Sequence, residues 1–69
     1  MTAKEAVDQI AYKKPQHIKD EILLALENQF VADSDDVTGK LKSIDDGIFR
    51  VYYEDVLIYD SSVNPPVII

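Results

Sequence analysis

Apolar residues recur along the chain with two different periods, and the change from one to the other divides it into halves. Ala3, Ala6, Val7, Ile10 and Ala11 fall at the i, i+3, i+4, i+7 and i+8 positions of one helical stripe, with Lys4, Glu5, Asp8 and Gln9 outside it. Thr2 and Glu5 have the spacing of a capping box, so a helix is predicted from Ala3 to about Tyr12 or Lys13. Pro15 restricts Lys14 to extended backbone and suits the first turn of a second helix. That helix is predicted over residues 15–30 or 31, with Ile18, Ile22, Leu23, Ala25, Leu26 and Phe30 on a broad apolar face and Leu24 toward its margin.

Residues 32–36 read ADSDD, a run of turn formers that hydrogen-bond their own backbone. Beyond it the period falls to two, and strands are predicted over residues 37–44, 48–53 and 56–59 or 60. A three-residue Asp45-Asp46-Gly47 hairpin would set Ile44 opposite Ile48, Leu41 opposite Val51 and Lys40 opposite Tyr52. A two-residue Glu54-Asp55 turn would set Tyr53 opposite Val56 and Val51 opposite Ile58. Alternation then gives Leu41, Phe49, Val51, Tyr53, Val56 and Ile58 to the core face. The opposite face carries Lys40, Lys42, Ile44, Ile48, Arg50, Tyr52, Leu57 and Tyr59. The expected fold is α+β, with two N-terminal helices packed on one face of a three-stranded antiparallel β-meander (ααβββ). Residues 1–63 form the single domain, and residues 64–69 form an extended, proline-containing apolar tail.

At 69 residues the chain has little core to draw on, and without cysteine it has no disulfide or thiolate–zinc route to extra stability. Association, with a protein partner or as a homodimer, is the remaining route. The apolar end of the tail, Val67, Ile68 and Ile69, is expected to add to a sheet edge, enter the core or complete an interface. No stretch approaches the length of a membrane span, the start lacks the order of a signal peptide, and a cytoplasmic, soluble protein without membrane contact is expected. Thirteen acidic against seven basic residues give a net charge of −6, which disfavours duplex DNA and favours a partner with a basic patch.

Catalytic and metal chemistry find little purchase. Counted as a calcium loop from Asp33, position five is Val37, position six Thr38 and position twelve Ile44, where an oxygen ligand, a glycine and a glutamate are needed. His17 is the only histidine, and it reads as a surface residue of the basic KKPQHIK run. The carboxylate pairs Asp45-Asp46 and Glu54-Asp55 fall in predicted turns, where hydration keeps them from acid–base work. Gly39 and Gly47 cannot build a phosphate cradle. The expectation is a non-enzymatic protein with no cofactor and no metal.

Three binding surfaces remain. The first is a protein-docking face of Lys40, Lys42, Arg50, Tyr52, Leu57 and Tyr59 together with Val67, Ile68 and Ile69. The second is an acidic surface that imitates DNA and occupies a basic groove, supplied by Asp33, Asp35, Asp36, Asp45, Asp46, Glu54, Asp55 and Asp60. The third is stacking of single-stranded nucleic acid on the same basic and aromatic sheet face.

The opening MTAKEAVDQIAYKKPQHIKDEILLALENQF resembles the helical amino-terminal segment of short bacterial antitoxins, with its MT-x-KEA start, mid-segment proline and amphipathic second helix. The later GIFRVYYEDVLIYDSSV is similar to closing strands of small bacterial toxins that cleave RNA. The surplus of aromatic and aliphatic residues left after the core is assigned leads to the expectation of a small bacterial or phage regulatory protein, antitoxin-like or an adaptor, that docks on another protein through its sheet face, its apolar tail or both.

Overall fold

A computed structural model describes residues 1–68, in the order α1 (Ala3–Ile10), α2 (Gln16–Asn28), β1 (Leu41–Asp45), β2 (Phe49–Tyr53) and β3 (Val56–Asp60). The strands form one antiparallel sheet in the order β1-β2-β3, and the helices cover one of its faces, the ααβββ arrangement expected. Val7, Ile22, Leu26, Val51, Ile58 and Tyr59 make the centre of the core between the two layers.

Local chemistry accounts for each boundary. The Thr2 hydroxyl accepts the Glu5 N–H and the Glu5 carboxylate accepts the Thr2 N–H, so the capping box forms as read. Two further amides of the first turn, those of Ala3 and Lys4, donate to the carbonyls of Asp35 and Asp33, which docks the ADSDD loop against the start of α1. Pro15 is the N-cap of α2 and stands just outside the helix. The predicted strand over residues 37–44 is shortened at its start. Gly39 has φ +74° within a turn closed by the Lys40 N–H on the Val37 carbonyl, and pairing begins only at Leu41.

The β1/β2 register differs from the expectation by two residues: Leu41 faces Tyr53, Ser43 faces Val51 and Asp45 faces Phe49. The turn is three residues long, but it consists of Asp46, Gly47 and Ile48, with Gly47 at φ +99°. An even shift leaves every side chain on its expected face, so the division into core and outer faces survives. Between β2 and β3, Tyr53 faces Val56 as expected, but a bulge between Val51 and Tyr52 brings Val51 opposite Tyr59 instead of Ile58. The extra residue breaks the alternation, and Ile58 and Tyr59 are both buried.

The tail adds to a sheet edge. Asp60 N–H donates to the Pro66 carbonyl and Ile68 N–H to the Ile58 carbonyl, each at 2.9 Å, while Val67 bridges Tyr59 and packs against the core. Its turn is held by Asp60, whose carboxylate accepts the Ser62 hydroxyl at 2.6 Å and the Ser62 N–H at 2.9 Å and lies 3.4 Å from Arg50 Nε. One sheet edge is thereby occupied. The outer edge of β1 has no strand beside it among the described residues.

Candidate functional site

The expected docking face is only partly assembled. Lys42, Ile44, Arg50, Tyr52 and Leu57 share the outer side of the sheet, where Ile44 and Tyr52 border a shallow cleft of about 490 Å³ with Lys42, Ser43 and Asp55. Tyr59 does not belong to it. The bulge turns its side chain inward to 1% exposure, edge to face with Phe49 at a centroid distance of 6.0 Å. Burial, then the charge of the neighbouring Glu21 carboxylate, pushes the Tyr59 phenol up to about 12. Val67 and Ile68 are half-buried against β3, and Ile69 lies outside the described residues.

The cations expected on the outer face are already paired, Lys40 from the cleft that it lines with Tyr53 and Val56. Lys40 Nζ lies 3.7 Å from Glu54, Lys42 Nζ 3.5 Å from Asp55, and the Arg50 guanidinium 3.8 Å from Asp46 and 3.4 Å from Asp60. Single-stranded nucleic acid would have to displace these carboxylates before meeting a free cation.

The eight carboxylates proposed to imitate DNA are scattered in the same way. Asp45 and Asp46 sit at one end of the sheet, bound to Lys14 at 3.0 Å and to Arg50. Glu54 and Asp55 sit at the other end, roughly 15 Å away by the rise of a five-residue strand. Asp60 is buried. Asp36 bonds the Met1 ammonium at 3.1 Å, and its pKa is held far below the usual carboxylate range, chiefly by the Thr38 hydroxyl and N–H. Only Asp33 and Asp35 of the eight have no cation within 4.0 Å among the described residues.

The most unusual surface feature is one that periodicity hides. Phe30 was expected on the core face of α2; instead it is 95% exposed, with φ +62°. The helix ends in a Schellman turn in which Phe30 N–H donates to the Glu27 carbonyl and Val31 N–H to the Leu26 carbonyl, each at 2.9 Å. Phe30 occupies the left-handed position where glycine is the usual residue, and the turn swings its ring out while Val31 folds back beside buried Leu26. A bulky side chain at positive φ is a genuine outlier. Val56, also expected in the core, is 52% exposed at the start of β3, and it borders with Phe30 a cleft of about 600 Å³. Glu54, φ +49°, lines the same cleft, and Asp55, φ +66°, follows it in the hairpin. Tyr53 closes the floor, its phenol raised first by burial and then by the adjacent Glu54 carboxylate. Leu24, at 50% exposure, is a surface residue of α2.

No family model, curated protein or solved structure matches the chain. Among the described residues no cluster of three His, Asp or Glu is placed to hold a metal ion, and no helix is long and apolar enough to cross a membrane. Backbone strain concentrates beside one cleft, and residues kept in such conformations are drawn to binding and switch regions. At 95% exposure the ring contributes almost nothing to the core.

Proposed function

We propose that this chain is a small acidic interaction protein, non-enzymatic and of antitoxin or adaptor type, that acts by binding a protein partner with Phe30 as its anchor. The observation that supports this reading is the pairing of near-complete exposure with a left-handed backbone at Phe30. A residue retained there against the preference for glycine serves something other than the stability of the isolated fold. Large aromatic side chains are also the ones that dominate binding energy at protein interfaces. Val56 and Tyr53 extend the contact on one side. Ile44 and Tyr52 on the outer sheet face offer a second, independent contact, which a homodimer or the same partner would cover.

The test is site-specific photocrosslinking. A photoreactive phenylalanine analogue at position 30 should trap a defined protein in the source cell, whereas the same analogue at exposed position 17 on α2 should not. Excess unlabelled wild-type chain should suppress the adduct and Phe30→Gly should fail to. Equal suppression by Phe30→Gly, or no adduct at position 30, would remove Phe30 from the interface and the reading with it.

A further inference from the structure

The groups around the Phe30 ring carry a consistent sign. The cleft on its sheet side is lined by Asp35, Asp36 and Glu54 with Lys40 as the one cation, and the cleft on its other side by Glu27 and Asp33. Five carboxylates thus line the two clefts that Phe30 borders, against a single lysine, and that lysine is taken by Glu54 at 3.7 Å. The Met1 ammonium offsets Asp36 alone. Glu27, Asp33 and Asp35 have no cation within 4.0 Å among the described residues. Asp35 already accepts the Ala32 N–H through one oxygen, which fixes its carboxylate at the rim.

We infer that the surface around Phe30 receives an arginine-bearing, cationic segment of the partner protein, with a guanidinium stacked on the exposed ring and its N–H groups directed to the surrounding carboxylates. This rests on the protein-binding reading above and names the chemistry of what binds. Both halves of the recognition are present. An aromatic face attracts a cation through its quadrupole, and the planar guanidinium can stack while donating in-plane to carboxylates, which an ammonium cannot do in the same geometry. An uncharged apolar segment would cover the ring but leave Glu27, Asp33 and Asp35 to be desolvated without partners. An acidic segment would meet five like charges.

Fluorescence anisotropy with three labelled nine-residue probes, (Arg-Ala-Ala)3, (Lys-Ala-Ala)3 and (Glu-Ala-Ala)3, tests this on the full chain. The arginine probe should bind, and more tightly than the lysine probe, and loss of the ring should weaken its binding by about two- to fivefold, the range of an exposed cation–π contact. Phe30→Leu and Phe30→Gly should each lose that preference, and Asp33→Asn with Asp35→Asn should weaken both cationic probes. Tyr12→Ala, an exposed aromatic just past α1 and outside these clefts, should change nothing. Raising the salt concentration should weaken binding, since the carboxylates are exposed. Equal affinity for arginine and lysine probes, unchanged affinity in both Phe30 variants, or no binding of the arginine probe at millimolar concentration would each overturn the inference. Should position 30 still crosslink to a partner at a segment free of arginine, this inference falls while the protein-binding reading stands.

Discussion

Replacing Phe30 by glycine should make the protein more stable, against the usual effect of deleting a large apolar side chain. A non-glycine residue in the left-handed region is disfavoured by about 1–2 kcal/mol. Glycine removes that strain but gives the unfolded chain extra freedom of roughly 0.5–1 kcal/mol. Burial hardly enters, because the ring is 95% exposed and leaves no cavity when removed. The net gain centres on about 0.75 kcal/mol within a span of about 0–1.5, and for a domain of this size about 1 kcal/mol corresponds to about 4–8 °C in Tm. Thermal unfolding followed by circular dichroism should therefore show Phe30→Gly melting about 3–6 °C above wild type, with urea unfolding moving the same way. A Tm equal to or below that of wild type would mean that the ring packs on the fold or that the turn lacks the positive φ described. Combined with failure to compete for the crosslinked partner, higher stability would separate binding from folding at a single residue.

The Glu54-Asp55 turn has positive φ at both central residues, the type I′ geometry that favours Asn-Gly. Glu54→Asn with Asp55→Gly should raise the urea midpoint by an amount equivalent to about 0.5–1 kcal/mol, even though two exposed ion pairs to Lys40 and Lys42 are lost. Leu26→Ala, at a fully buried position, should destabilise by about 2–5 kcal/mol in the same assay. Glu5, Asp36 and Asp60 all have pKa values lowered in the folded protein, chiefly by hydrogen bonds from Thr2, Thr38 and Ser62, so their contribution is present above their unfolded pKa values and lost on acidification. Tm should fall as pH drops below about 4. At the other extreme, Tyr59 is raised to about 12, so stability should decline as pH climbs from about 10 through 12, and Tyr59→Phe should flatten that decline when Tm is followed against pH.

Helix starts, strand order and the two sheet faces were legible because each rests on local chemistry or on parity. Thr2 and Glu5 announce their capping box in four residues, and a register shift of two cannot move a side chain across the sheet. Tyr59 was misplaced because a bulge is set by how β3 fits against β2 and the helices, and no residue in VLIYD marks it. Phe30 and Val56 were assigned to the core because hydropathy counts them as apolar wherever they stand. Only the hydrogen bonds of the Schellman turn show that the helix stops at Asn28 and turns the ring away. The signal for the site was an absence: α2 ends without a glycine, and a chain reversal without glycine forces some other residue into the left-handed region.

The tail laid along β3 gives the sheet a polarity that its three strands alone would lack. Residues 66–68 cover the β3 flank, so among the described residues β1 is the strand edge with nothing beside it and the one open to a strand from a second molecule. Truncation before Asn64 should uncover the β3 flank as well, and a rise in mass in solution relative to the full chain is the expected outcome.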